Sequence, residues 1–200
     1  MFVFLKGYDE NKLYDAGREI ENQLHSKLVF AAMRSLSEYI LFSLYEEYGN
    51  NKYDVRLFDL INNQEFVNRV KKELHFNGFQ TLDEVCRLGG NHALHISREF
   101  SFEWTPVDVK NGFKCTYELA SNYYFFKFHQ KAPDWSENEY SVLLSKASDP
   151  NARQKIETEY SNKLKEKESE LLQAKKEAKV RNFLPLFLSL FFLIFFEVFT

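Results

Sequence analysis

The last eighteen residues of the chain limit what this protein can fold into more than any other feature. Residues 183–200 read FLPLFLSLFFLIFFEVFT, contain seven of the 21 phenylalanines and carry Glu197 as their only charged residue. A helix of this length reaches about 27 Å, which is close to the hydrocarbon thickness of a bilayer. Because a surface this apolar does not stay exposed to water, a membrane or a protein partner has to cover it.

Basic residues directly before this segment favour the membrane. They are Lys175, Lys176, Lys179 and Arg181. Positive charge of this kind stays on the cytoplasmic side of a bilayer. We therefore expect a single-pass C-terminal anchor with the N-terminal domain in the cytoplasm. Two alternatives stay open: a cytoplasmic protein whose apolar helix a partner covers, and a truncated or frame-shifted remnant of a larger protein.

The formal net charge of −3 comes from 26 Lys and Arg against 29 Asp and Glu, and it is unevenly distributed. Residues 151–182 hold 9 basic and 6 acidic residues, whereas residues 1–150 hold 17 and 22, a net charge of −5. A negative body lacks the basic footprint of a DNA-reading protein. The sequence predicts a domain at 1–135, a linker and charged helical stalk at 136–182, and the apolar tail. The stalk either self-associates as a coiled coil or stands alone as a solvated helix.

Apolar residues recur at steps of three and four along most of residues 1–135, which predicts an all-α helical bundle. The low content of glycine (7) and proline (4) also argues against a turn-rich β fold. The longest stripe, which stops at Gly49, contains Leu28, Ala31, Ala32, Ser35, Leu36, Tyr39, Ile40 and Leu44. A second stripe contains Val109, Phe113, Tyr117, Ala120, Tyr124 and Phe128.

Capping residues predict where the helices begin. Asp9 and Ser26 are placed to cap the first two helices, and residues 55–62 and 64–75 read as two shorter ones. Thr81-x-x-Glu84 has the spacing of a capping box. Thr105-Pro106 predicts another start, because proline at the first helical position loses no hydrogen bond.

One segment carries residues suited to chemistry, and it reads RLGGNHALH from Arg87 to His95. Arg87, Asn91 and His95 are spaced by four residues and would share one helix face. Arg34 and Glu38 have the same spacing on the long second helix and can form an ion pair. Helix packing can join all five into one polar cluster, with the glycines Gly89 and Gly90 allowing close approach. The cluster is either a buried network that fixes helix register or a phosphate or RNA site with His95 as acid and base.

The pattern Arg-x-x-Gly-Asn-x-Ala-x-His, together with Met33-Arg-Ser-Leu-Ser-Glu38, resembles a known family. It is similar to family 4145 of domains of unknown function, which stands at the N-terminus of type I restriction enzyme R subunits. The resemblance covers residues 10–130. It implies a helical domain that is separate from the nuclease and the motor. The wider helical class that this family resembles, the HEPN class, includes ribonucleases with Arg-x(4–6)-His. Arg87 and His92 match that spacing, and Arg87 and His95 do not.

These features give three functional hypotheses. The first is a non-catalytic interaction or regulatory module of a restriction-type defence protein, tethered to the membrane and free of cofactors. Its expected partners are proteins such as other restriction-modification subunits. The second is a HEPN-like ribonuclease that uses Arg87 with His92 or His95. The third is a remnant of an R subunit that lacks nuclease and motor domains. No metal site is expected, because His92-x-x-His95 has no further ligand at a familiar spacing.

Overall fold

In the computed structural model the chain divides into two units, Met1–Pro150 and Asn151–Thr200. The structure describes residues 1–8, 11–51, 55–94 and 104–148, together with Ser169 and Gln173. Residues 149–182 of the predicted linker and stalk, apart from those two residues, and the predicted apolar tail at 183–200 lie outside the described residues. The same holds for the basic residues Lys175, Lys176, Lys179 and Arg181 and for Asp9, the expected first cap.

Every regular element in the described part of the chain is helical, which confirms the all-α prediction. A 3₁₀ turn at Phe2–Leu5 comes first. It is followed by α1 (Lys12–Asn22), α2 (Leu28–Glu47), α3 (Leu57–Asn62), α4 (Gln64–Leu74), α5 (Phe79–Thr81), a π-helix (Leu82–Leu88), α6 (Gly89–Leu94), α7 (Pro106–Phe128) and α8 (Glu137–Ser148).

Helix α2 is the centre of the bundle and contacts α1, α3, α6, α7 and the π-helix. Because it has neighbours on several sides, its buried face is wider than the predicted stripe. Leu36, Ile40 and Leu44 are fully buried as expected, and Met33 joins them. Leu28 is 45% exposed, so its assignment to the stripe was wrong. It begins the helix, ahead of the point where α2 is enclosed by its neighbours.

Within the described residues, α2 is also the one helix whose length and hydropathy would allow it to cross a membrane. This is weak support for a membrane span, because a core helix of a soluble protein has the same composition. Half of the most apolar stretch of α2 is buried inside the protein. The apolar character of α2 is therefore accounted for by its place in the core.

The start of α7 agrees with the prediction from Thr105-Pro106. The Thr105 Oγ1 atom accepts a hydrogen bond from the Asp108 amide at 3.3 Å, and the Thr105 amide donates to Asp108 Oδ2 at 2.8 Å. This reciprocal pair satisfies amides that the first helical turn leaves open. The stripe that follows is buried from Val109 to Ala120, but Phe128 at its end is 40% exposed.

The capping box predicted at Thr81 is absent. Thr81 has helical dihedrals (φ −64°, ψ −37°), and its side chain makes no cap hydrogen bond. The helical segment already begins at Phe79, directly after Gly78. From Leu82 onwards the chain continues as the π-helix and then as α6. Thr81 therefore lies inside a continuous helical stretch, and its spacing to Glu84 has no capping role.

Candidate functional site

The polar cluster predicted from the sequence lies at a cleft between α2, the start of α3, the π-helix and α6. The cleft has a volume of about 620 Å³. Its lining residues are Arg34, Glu38, Phe42, Val55, Arg56, Leu57, Phe58, Arg87 and Asn91. Four of the five predicted cluster residues thus share one cleft, which is within the size range of small-molecule sites.

The α2 side of the cleft carries an ion pair. Arg34 Nε donates to Glu38 Oε1 at 2.8 Å, and the two side chains are 25% and 26% exposed. Arg34 Nη1 also donates to Asn91 Oδ1, which joins α2 to α6. Since each group is held by a neighbour, the two side chains keep a fixed direction at the edge of solvent.

Gly89 and Gly90 bring α6 close to α2. A Cβ atom added to Gly90 would lie 3.0 Å from Cβ and Cδ of Arg34 and 3.1 Å from the Phe30 carbonyl oxygen. A Cβ atom on Gly89 would lie 3.0 Å from the Phe30 ring. Because neither glycine has a Cβ atom, α6 can pack closer to α2 than any other residue would allow. This closeness lets Asn91 reach Arg34.

Arg87 projects from the π-helix and is the most buried arginine of the cleft, with a side chain that is 14% exposed. Its Nε atom donates to Asp83 Oδ1, four residues earlier. Its guanidinium carbon lies 4.9 Å from the centroid of the Phe58 ring, a cation–π distance. Phe58 itself is 46% exposed. The cleft thus combines a positioned guanidinium group with an accessible aromatic ring.

The side chains of the two predicted histidines lie outside the described part of the structure. His95 lies outside the described residues, and of His92 the structure describes the backbone in α6 but not the side chain. Within the described residues, no group of three His, Cys, Asp or Glu side chains is arranged to hold a metal ion.

Sequence reasoning missed three polar or aromatic contributors to the site: Arg56, Phe58 and Asp83. Asp83 and Arg87 have the four-residue spacing of a helical ion pair, so this signal was present in the sequence. Arg56 and Asp59 form a pair across the start of α3, with Nε to Oδ2 at 3.1 Å. That pairing raises the pKa of Arg56 and lowers the pKa of Asp59. Nothing local in the sequence indicated that Phe58 would lie against Arg87.

The charges at the cleft balance. Three arginines are present, and each has a carboxylate partner in the described part of the chain. The partners are Glu38, Asp59 and Asp83. The cleft therefore has local dipoles and directed N–H groups without an excess of positive charge. A site of this kind selects its ligand by the geometry of its hydrogen bonds more than by long-range electrostatic attraction.

No protein-family model, no curated protein and no solved structure matches this chain.

Proposed function

We propose that the helical domain is a non-catalytic interaction and regulatory module of a type I restriction-modification defence protein, and that the cleft is its recognition site. The family resemblance in residues 10–130 supplies the biological setting. The cleft supplies the site, because it gathers Arg34, Glu38, Arg87 and Asn91 from three separate helical elements.

The observation that carries the proposal is the accessibility of this cluster. A network that only fixes helix register is enclosed by the core, whereas Arg34 and Glu38 are about a quarter exposed at a cleft of about 620 Å³. The π-helix beside it adds support, because π-helical turns occur often at functional sites. The arginine side chains, each held by a carboxylate, can bind a ligand without catalysing a reaction of it.

The experiment compares the stability cost of removing a cleft residue with that of removing a core residue. If the cluster serves recognition, Asn91→Ala should lower the free energy of unfolding by about 1 kcal/mol, the usual contribution of one hydrogen bond. Leu36→Ala, at a fully buried position of α2, should cost about 2–5 kcal/mol. A cost above about 3 kcal/mol for Asn91→Ala would identify the cluster as a buried register device instead.

The second candidate, a HEPN-like ribonuclease, is favoured by one observation: Arg87 lies in the cleft wall, where it could hold a phosphate. The full chain, incubated with single-stranded RNA, should leave the RNA intact if the module is non-catalytic. Cleavage that disappears in both Arg87→Ala and His95→Ala, with stability retained, would replace our proposal with this one. His92→Ala is the matched variant for the other histidine.

The membrane tether is part of the proposal and rests on the sequence of residues 183–200. The full chain should stay in the membrane pellet through high-salt and alkaline washes and be released by mild detergent. A chain ending at residue 181 should be soluble. If the full chain instead resists detergent as an aggregate, the tether is wrong and the remnant of an R subunit becomes the better hypothesis.

A further inference from the structure

The ligand class of the cleft follows from the hydrogen-bonding groups that its arginines leave open. A guanidinium group has five N–H donors. Arg87 uses Nε for Asp83, which leaves both of its Nη groups without a hydrogen-bond acceptor in the described part of the chain. Arg34 uses Nε for Glu38 and Nη1 for Asn91. The Asp83 and Glu38 carboxylates thus accept the hydrogen bonds of the Nε groups, and Nη groups remain to donate to a ligand.

Planar, paired N–H donors match the oxygens of a carboxylate or a phosphate group. Next to these donors lies the Phe58 ring, which is 46% exposed and already in contact with the Arg87 guanidinium. Phe42, Val55 and Leu57 extend the apolar wall. An occupant that uses both features has an oxyanion at one end and a flat apolar group beside it.

The charge balance limits the number of anionic groups. Binding a polyanion requires uncompensated positive charge, and each cleft arginine already has a carboxylate partner. Glu38 lines the cleft itself, so a second anionic group on the ligand would meet a like charge. The cleft is therefore suited to one oxyanion and is a poor match for a nucleic-acid strand.

We infer that the cleft binds a small molecule with a single oxyanion, carboxylate or phosphomonoester, attached to a flat apolar group, through Arg34, Arg87 and Phe58. This inference rests on the proposed function, because it names the ligand of the same cleft. Asp83, which accepts the Nε–H of Arg87, acts as a positioning residue for that guanidinium group.

The test titrates the full chain, in non-ionic detergent where the tail requires it, with four probes. They are phenyl phosphate, benzoate, the neutral benzamide and inorganic phosphate. The readout is the arginine Nε–H signals in ¹H–¹⁵N spectra, assigned with the Arg variants. We expect one of the two aromatic anions to bind with a dissociation constant of about 1 mM and to shift the Arg87 signal. Benzamide and inorganic phosphate should bind at least about tenfold more weakly. The comparison of phenyl phosphate with benzoate shows whether the cleft binds a phosphomonoester or a carboxylate.

The chain offers a matched control for Arg87. Arg69 in α4 pairs with Glu73 at 2.9 Å and stacks on the Tyr48 ring at 3.6 Å, but it does not line the cleft. Arg87→Lys keeps the charge and loses the planar fork, so affinity should fall about tenfold. Arg69→Lys should leave affinity unchanged. An equal effect of both variants would show that the change acts through general stability and would overturn the inference.

Glu38 provides a test of the inference that the cleft accepts only one anionic group. Where benzoate is the aromatic anion that binds, phthalate, which has two adjacent carboxylates, should bind more weakly than benzoate; where phenyl phosphate binds, 2-carboxyphenyl phosphate should bind more weakly than phenyl phosphate. Glu38→Gln should reduce that difference because it removes the like charge. Phthalate that binds more tightly than benzoate to the unchanged protein would overturn this part of the inference.

The outcomes separate the ligand class from the proposed function. If benzamide binds in the cleft as tightly as the anions, and Arg87→Lys has no effect, the oxyanion inference is wrong while the cleft remains a recognition site. If none of the four probes shifts the Arg34 or Arg87 signals, the oxyanion inference is also wrong. The recognition role of the cleft is then decided by the stability comparison of Asn91→Ala with Leu36→Ala.

Discussion

Gly112 in α7 offers a sharp test of how tightly the bundle is packed. A Cβ atom at this position would lie 2.8 Å from Met33 Sδ and 2.9 Å from Val85 Cγ1. Ordinary carbon contacts are near 3.5–4.0 Å, so the two side chains, or the helices that carry them, must shift to admit one methyl group. Overpacking of this kind costs about 1–3 kcal/mol. Alanine in a helix interior recovers about 1 kcal/mol relative to glycine.

The Met33 thioether is flexible and can adapt, but the branched Val85 side chain is stiff. We therefore expect Gly112→Ala to lower the free energy of unfolding by about 1 kcal/mol, with a packing cost near 2 kcal/mol and the propensity gain subtracted. Urea denaturation followed by fluorescence of Trp104 and Trp135 measures the change. The helix-propensity contribution is measured separately at Lys114, which lies on the exposed side of the same helix. It is the difference in unfolding free energy between Lys114→Ala and Lys114→Gly. A Gly112→Ala protein that gains the full difference measured at Lys114 would refute the close packing of α7.

Three further predictions concern the core and the helix ends. Burial raises the pKa of the Cys86 thiol to about 12. In a Cys115→Ser background, Cys86 should therefore react with a disulfide reagent at pH 8 about 10³-fold more slowly than a free thiol does. Unfolding in urea should make the reaction fast. Thr105→Ala should lower the free energy of unfolding, measured by urea denaturation, by about 1 kcal/mol. Thr105→Ser should keep the wild-type stability, because the serine hydroxyl can make the same capping hydrogen bond. Burial and the carboxylates of Glu139 and Asp134 raise the pKa of Tyr117 from 10.0 to about 12. Because the folded pKa is the higher one, stability should hold below pH 10 and fall between pH 10 and 12, and Tyr117→Phe should reduce that fall.

The parts of the fold that were predictable are those set by local patterns. The helices expected at 55–62 and 64–75 are observed at Leu57–Asn62 and Gln64–Leu74. Asn63 separates them because its Oδ1 atom accepts a hydrogen bond from the Phe66 amide at 3.0 Å. The stop after α2 is similarly local, since Gly49 adopts a φ of +84° that other residues rarely take.

The width of a buried face was less predictable than the helix itself. The stripe on α2 follows from the spacing of its apolar residues, but burial of Met33 depends on α7, which is distant in sequence. Leu28 has the correct spacing and still remains exposed, because a position near the helix start has fewer neighbours. Periodicity identifies an apolar face, and tertiary packing decides how much of it is covered.

The cluster at the cleft was predictable to the extent that it depends on spacing within one helix. Four-residue steps correctly paired Arg34 with Glu38. The link from Arg34 to Asn91 joins residues 57 apart in sequence and depends on the closeness of α6 to α2. Phe58 enters the site from α3, whose position relative to the π-helix has no local signal in the sequence.

The π-helix explains how Arg87 and Asn91 can both reach the cleft while Asp83 bonds to Arg87. In an α-helix, four residues exceed a full turn by about 40°, so Asp83, Arg87 and Asn91 would drift steadily round the helix. In a π-helix the hydrogen bonds run from i to i+5, and four residues fall short of a full turn. The step from Asp83 to Arg87 lies in the π-helix and falls short of a full turn. The step from Arg87 to Asn91 runs mainly through α6 and exceeds a full turn, so the two rotations about the helix axis partly cancel. The drift is thereby reduced, and both Arg87 and Asn91 reach the cleft while Asp83 stays within bonding distance of Arg87. An interpretation of the sequence with a 3.6-residue period has no means of locating such a change of pitch.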